Sequence, residues 1–517
     1  MDGEVTHLPL KVAVIGAGIS GLSTAQRLIK SQECSQTDVN VNIYEASDRI
    51  GGRIHTCKFG KGHVEKGAAW VHGYSMENPL LELPSLQERF CNDQRETSTF
   101  AAQNLSVLTE KGEAVSLDVR LQAQEIFTYL LDGPPELRQK SVQNGHHSMS
   151  YNSLHVGSLE RLNVGTYVYG MLQDYLKEKA DKEGRSKRNV FLSVLQQLVS
   201  EEFISNACPS LYALDMADFD SYEDVSGGDY QLPGGYQTVI DSISQDIPED
   251  HIHLSHPVER IEWHGANNAS NEDQHGPITL HFKNGQTVTA DIVVVTSSLG
   301  YLKSNSTSLF HPSLPAEKLR SIQKLGFGVV NKIQMQYNNP FWDPDWEGVR
   351  FLWDCDSVDK LEGDWSVKDE WYKRVSYIRR ACHSEDVLET LIPSAEAHHI
   401  ESLDATEVAK VMTGLLQKFL NNSKIPEPSE IIVTKWSSDP YIKGSYTYIA
   451  AGATNQDIQS LAEPVSVESN NIMWPKICFA GEATSRRFYS TVHGAFASGR
   501  READRILNFV KRLKEQI

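Results

Sequence analysis

Long apolar runs are missing from this 517-residue chain. None reaches the roughly 18 residues that a membrane-spanning helix needs, so no membrane association is expected. Cysteine is scarce: seven copies (Cys34, Cys57, Cys91, Cys208, Cys355, Cys382 and Cys478) are scattered, odd in number and free of CxxC pairs. That pattern argues against a disulfide framework and a zinc site, so reduced thiols and no metal are expected. Positive charge is also short, with 49 Lys and Arg against 68 Asp and Glu, and a net charge of −19 argues against the basic face that nucleic acid demands. The acidity suits a cationic ligand, and it serves solubility equally well. The opening MDGEVTHLPL has neither the basic start nor the apolar segment of a secretory signal, and the ending Glu515-Gln-Ile517 is not of the Ser-Lys-Leu peroxisomal type. A cytoplasmic monomer is expected, with the Asn-x-Ser/Thr triplets at Asn104, Asn268, Asn305 and Asn421 unmodified.

What is present begins at residue 11. Val12, Ala13, Val14 and Ile15 form the short apolar run of a buried parallel strand, and Gly16-Ala-Gly18-Ile-Ser-Gly21 follows at the mouth of a helical pattern. Gly16 permits a tight turn, Gly18 lets a pyrophosphate approach the backbone, and Gly21 lets helix and strand pack; phosphates then sit at the positive end of the helix. GxGxxG alone also occurs in turns that bind nothing. Glu45 closes an apolar strand, Val39–Tyr44, about 24 residues past Gly21, where a ribose-binding acid belongs, and this favours a dinucleotide site. The absence of an arginine beside it disfavours a 2′-phosphate and leaves NAD and FAD open.

Residues 61 to 84 lead away from this unit, and the nucleotide-binding pattern stops from 85 to 231. Apolar residues at helical spacing (Leu159, Leu162, Tyr167, Leu172, then Val190, Val194 and Leu198) flank the charged run KEKADKEGRSKR and predict a helical insertion. Leu232-Pro-Gly-Gly-Tyr236 opens a helix, HIHLSHPVERIEW reads as strands around a proline, and Lys283-Asn-Gly285 joins two strands as a hairpin. Residues 313 to 424 leave again, starting with the strand-rich LGFGVVNKIQMQYNNPFW. The chain closes on a strand, a glycine turn and a helix in ICFAGEATSRRFYSTVHGAFASGRREADRIL.

GxGxxG, Arg49-Ile-Gly-Gly52-Arg53, AAWVHG, the lysine of NKIQMQY, GSYTY and GEATSRRFYSTVHG succeed one another in this order. From residue 11 to about 510 the chain thereby resembles the polyamine oxidases of the flavin amine oxidase family. The resemblance implies an α/β fold with two discontinuous domains. One is an FAD-binding Rossmann-like (GR2-type) domain made from 1–84, 232–312 and 425–517. The other is an α+β substrate-binding domain made from 85–231 and 313–424. It also implies that FAD is held by Gly16, Gly18, Gly21, Glu45, Gly52, Arg53, Val258 and Glu482, with the backbone amides of Thr491 and Val492 near the flavin's pyrimidine edge. Ser445 stands where monoamine oxidases carry the cysteine that attaches FAD, so non-covalent binding is expected.

Lys332 lies in a strand of otherwise apolar or amide residues, where a lysine is costly to bury. The resemblance gives it a water held against the hydride-accepting nitrogen and a part in reoxidation by O2; otherwise it is a lysine facing solvent from an edge strand. By the same resemblance His72 orients the substrate amine, Tyr446 forms one wall of an aromatic cage for it, and Ser490 approaches the substrate chain. A structural histidine and a core tyrosine are the alternatives. The implied reaction is hydride transfer to FAD from a carbon beside a secondary amine of a polyamine (spermine, N1-acetylspermine or N1-acetylspermidine). O2 then becomes H2O2, and an aldehyde and a shorter amine are released. The rival readings are another amine in the same fold, as in histone demethylases or L-amino-acid oxidases, and a non-catalytic protein on an FAD scaffold. The choice among polyamines rests on side chains in 85–231.

Overall fold

The computed structural model describes residues 9–35, 39–92, 105–133, 162–179, 184–263, 276–469 and 471–515. The features predicted at Leu159, Asn104, Asn268 and residues 180–183 of the charged run, and the last two residues of the chain, lie outside them. The first sheet has six strands in the order Val465–Ser469, Ile472–Phe479, Ile292–Val295, Leu10–Ile15, Val39–Tyr44 and Ile252–His253. Leu10–Ile15 is central and parallel to both neighbours, with Val14 level with Val294 on one side and Ile43 on the other. A central parallel strand is covered on both faces, which is why Val12 to Ile15 are all apolar.

One face carries the first helix, Ile19–Ser35, laid against the last, Val492–Glu515. Their backbones come so close that a methyl at Gly499 would lie 2.2 Å from the Ser20 carbonyl oxygen. Ser23 and Thr24 hydroxyls tie the pair together by donating to the carbonyls of Phe496 (3.0 Å) and Gly499 (3.1 Å). The other face packs on a four-stranded sheet ordered Phe310–His311, Val258–Glu262, Ile278–Phe282 and Thr287–Ala290, the last two being the hairpin read from the sequence. Val258 is buried there with Tyr44, Phe282 and Val293.

The second large sheet runs Glu430–Val433, Val330–Gln336, Ser384–Pro393, Tyr377–Ala381, Gly348–Leu352 and Ser106–Thr109. Period-two alternation splits Val330–Gln336 between two environments: Ile333 and Met335 join the core under the helix Ala405–Phe419, while Lys332 and Gln334 reach the backbone of Glu65 on the opposite face. Three placements differ from the sequence reading. Ser106–Thr109 is a strand inside the segment expected to be helical, paired in parallel with Gly348–Leu352. Glu430–Val433, assigned to the cofactor domain, pairs with Val330–Gln336 in the second sheet, whereas Leu314, Ile322 and Leu325 pack with Ile458 in the cofactor half. Four-residue edge strands are too short to show a period, and their sheet is decided by which edge offers unpaired backbone groups. Among the described residues no helix is long and apolar enough to cross a membrane.

Candidate active site

The glycine turn has the geometry that its spacing predicts. Gly16 takes φ +105°, and a methyl on Gly21 would lie 2.0 Å from the Gly16 carbonyl oxygen, well inside contact. Gly18 is different, with open space where a methyl would go, so its backbone at the start of the first helix is open to approach. Gly52, at φ +58°, closes the same corner, since a methyl there would come within 3.4 Å of the Gly18 Cα. The Glu45 carboxylate accepts from the amides of Ala17 (2.6 Å) and Ser47 (2.8 Å), which holds it beside the turn with lone pairs to spare for ribose hydroxyls. The second and third glycines predict separable failures. Gly21→Ala is expected to lose both bound flavin and thermal stability, whereas Gly18→Ala is expected to lose flavin while unfolding near the parent temperature. Visible absorbance and a melting curve check both.

Three distant segments meet at Glu482. Its Oε1 accepts from Arg53 (2.9 Å) and the Thr447 hydroxyl (3.1 Å), and its Oε2 accepts from the Ser490 amide (3.0 Å). Arg53 also donates to the Ser445 carbonyl (2.7 Å), and Arg49 grips the Gly52 carbonyl (2.6 Å). Ser490 sits at φ +68°, and its hydroxyl donates to the Thr447 carbonyl, so the structure directs it at the backbone rather than into an open site. Thr491 caps the last helix: its hydroxyl oxygen accepts from the Gly494 amide (3.0 Å). The amides of the helix's first turn, starting at Val492, have no carbonyl one turn earlier to pair with, and they form an electropositive end. Ser445 bridges strands through its hydroxyl and the Val330 amide and carbonyl (2.9 Å each), and no thiol stands at that position.

Lys332 is buried, which rules out the solvent-facing alternative. Its ammonium donates to the carbonyls of Glu65 (2.9 Å) and Gly67 (2.7 Å), two of the three bonds an ammonium can make. Burial lowers its pKa from the ordinary lysine value, while the carboxylates of Glu389 and Glu65 push the other way. The loop that accepts these bonds continues to Trp70 and His72. His72 is half-exposed and its Nδ1 lies 3.0 Å from Asp229 Oδ1, across a backbone bridge between Val71 and Tyr230. His493, on the first turn of the last helix, lies close enough to be affected by His72. Its ring meets Phe488 edge-on at 5.0 Å, and its buried Nε2 has no hydrogen-bond partner among the described residues. Burial, reinforced by His72, pushes its pKa down to about 3, so it stays neutral.

Tyr446 lies on Tyr446–Tyr448, its hydroxyl donating to the Ile204 carbonyl near the end of the helix Arg185–Asn206. Burial raises the Tyr446 pKa, so it remains a neutral phenol. Glu202, half a turn away on that helix, was not singled out from sequence, where Glu201-Glu202 reads as a solvated face. Glu201 does pair with Arg350 (3.0 Å), but Glu202 points elsewhere and its pKa is raised to about 7 by burial and then by Glu201, against a bond from Asn206 (3.1 Å). The structure therefore gathers Lys332, Tyr446, Ser490, Thr491 and Glu482 around one set of strands, with Gly16 to Gly21, Glu45 and Gly52 at the turn next to it. Val258 lies behind the turn, in the core against Tyr44.

The sequence model for flavin-containing amine oxidoreductases matches residues 19–507. The chain belongs to that family. This amine oxidase is 31% identical over 508 residues to a bovine peroxisomal N(1)-acetyl-spermine/spermidine oxidase, covering 96% of this chain and 94% of the relative. It is 31% identical over 517 residues to the human protein of the same name, covering 98% and 96%. A solved structure of a putrescine oxidase double mutant with redesigned cofactor binding shares the fold, with a TM-score of 0.63 at 19% identity over 97% of this chain and 99% of that one. The amine oxidase's cofactor is FAD, and the residues fit it: the open space at Gly18, the Glu45 lone pairs, the Arg53 guanidinium and the free helix end at Val492 offer complementary partners in the required order. When bound, FAD supplies the two-electron chemistry, and the protein supplies position and field.

Proposed function

We propose that the enzyme oxidises a polyamine at a secondary amine. The overall change consumes the CH–NH unit, O2 and water, and yields an aldehyde, a shorter amine and H2O2. The observation that carries the reading is the packing of Tyr446 on the cluster that holds Val330, two residues before the buried Lys332 on the same strand: a neutral phenol ring there suits one wall of a cage for a flexible cation, and Glu202, with its pKa raised to about 7, is read as the carboxylate that draws that cation. In this reading His72, held through Nδ1 by Asp229, turns Nε2 toward the amine. Tyr446 forms the cage wall, Lys332 holds a proton and a water near the reacting centre, and Ser490 serves through its backbone. The names of the bovine and human relatives support acetylated polyamines as candidates. A peroxide assay across spermine, N1-acetylspermine, spermidine and N1-acetylspermidine tests the proposal, and no peroxide from any of them overturns it.

The pH profile carries a sign. Glu202 has a folded pKa raised above the ordinary carboxylate value, so it costs stability as pH rises toward 7 and is ionised only above about 7. The reacting amine must likewise lose its proton before its lone pair can assist hydride loss. Both effects raise kcat/KM with pH, and Glu202→Gln is expected to flatten the limb near pH 7 and to lower kcat/KM by about 100-fold, as loss of a charge-assisted contact of about 2–3 kcal/mol does. Steady-state kinetics between pH 6 and 9, roughly the span over which both groups titrate, checks this.

We further propose a cytoplasmic monomer. The described cysteines are unpaired, in keeping with a reducing compartment. Cell fractionation and light scattering test the two points, with peroxisomal sedimentation as the contrary result.

A further inference from the structure

Behind Lys332 the second sheet buries a complete ion pair that the reaction does not use. Arg379 donates to Glu389 Oε1 through Nε (3.1 Å) and Nη2 (2.8 Å), and both side chains are more than nine-tenths buried. Gln334, wholly buried, donates to Glu389 Oε2 (3.3 Å) and to the Glu65 carbonyl (3.1 Å), the same oxygen that accepts from Lys332. Strand register makes this a row, since Gln334 lies opposite Glu389, Glu389 lies opposite Arg379, and Lys332 is two residues from Gln334 on the same face. At the far end the Arg379 guanidinium covers the Trp70 ring at 5.3 Å, two residues before His72. Apolar residues of similar volume would fill this space at no cost in desolvation, so stability alone does not account for the pair.

We propose that Arg379 and Glu389 form a positioning unit for Lys332, fixing where its ammonium lies and which protonation state it holds. The proposal rests on the role given to Lys332 above. The charged groups that face Lys332 are Glu65 from the strand Gly62–Glu65, Glu389 from Ser384–Pro393 and Arg379 from Tyr377–Ala381. His63 and His383, stacked at 4.7 Å, lie one layer farther out, acting on Glu65 and Glu389. Glu65 is itself turned away, its carboxylate held by the Thr56 hydroxyl (2.9 Å) and the Tyr236 amide (2.7 Å). Glu389 is thus the carboxylate that favours the ammonium, and Arg379 is the cation that both orients Glu389 and limits its pull.

The two members therefore act on Lys332 with opposite signs, which a merely structural pair would not do. In the flavin-loaded full chain, reduced anaerobically with dithionite so that no amine is needed, reoxidation by O2 is followed against pH. Glu389→Gln leaves an unpaired guanidinium and is expected to move the apparent pKa down by about one pH unit; Arg379→Gln leaves an unpaired carboxylate and is expected to move it up by about as much. Melting curves of the same variants supply a readout free of turnover: adding Lys332→Met should lessen the loss caused by Glu389→Gln and deepen the loss caused by Arg379→Gln. If a single variant does not fold, Arg379→Gln/Glu389→Gln leaves no unpaired charge and carries the test. Its profile should move down, because Glu389 acts on Lys332 more strongly than Arg379 does. Shifts of the same sign, or an unchanged profile, overturn the proposal while the role of Lys332 stands. If Lys332→Met reoxidises at the parent rate and profile, both fall.

Discussion

Lys332→Met is expected to slow reoxidation of the flavin by O2 by about 100-fold or more, the usual size of losing one charge-stabilising group in a water-poor site, while changing anaerobic reduction by the amine only a few-fold. The split follows from where Lys332 sits. Its ammonium is buried and held at 2.9 and 2.7 Å by two backbone carbonyls of the loop leading to His72, which fixes it in place and leaves one N–H for a water or a reacting oxygen. Reduction of O2 develops negative charge that a nearby ammonium stabilises; removal of a hydride from an amine develops positive charge, which an ammonium does not help. Methionine keeps the length and the burial and removes only the donor. Stopped-flow traces of the two half-reactions separate the effects, and equal slowing of both would reassign Lys332 to a structural part.

Glu482→Gln is expected to give protein that melts several degrees lower and leaves purification without its flavin. The Glu482 side chain is 5% exposed and serves Arg53, Thr447 and the Ser490 amide at once, so neutralising it leaves a guanidinium unpaired and weakens the turn that starts the last helix. Removing one partner of a buried pair costs about 3–5 kcal/mol. The loss reaches the cofactor because Arg53 and the helix end at Val492 both depend on this carboxylate for position. Titration of each variant with FAD, followed by quenching of flavin fluorescence, measures it. Parent-like affinity in a stably folded Glu482→Gln would mean that Arg53 and Ser490 hold themselves.

The legible parts of the chain were those where chemistry restricts residue choice locally. A tight turn and a close helix contact fixed Gly16, Gly18 and Gly21 at readable spacing, and a lysine amid apolar residues marked Lys332 before its carbonyl partners were known. Hydrogen bonds between distant segments were not legible. Nothing near residue 229 says that its carboxylate meets His72, and Glu202 reads as surface because the sequence shows a charged pair on a helix, not the burial that raises its pKa. Ser490 illustrates the limit of a motif: its position matched, but its hydroxyl is turned to Thr447. The edge strands Ser106–Thr109 and Glu430–Val433 were missed for a similar reason, since four residues carry too little pattern to outweigh tertiary pairing.

The claim under all of this is that one chain grips FAD across Gly18, Arg53 and the last helix and presents it to a polyamine. Anaerobic mixing of the purified yellow protein with spermine and with N1-acetylspermine tests it most directly. At least one of them is expected to bleach the flavin, and admitting O2 is expected to restore the colour with release of peroxide. A flavin that dithionite bleaches but no polyamine reduces would contradict it.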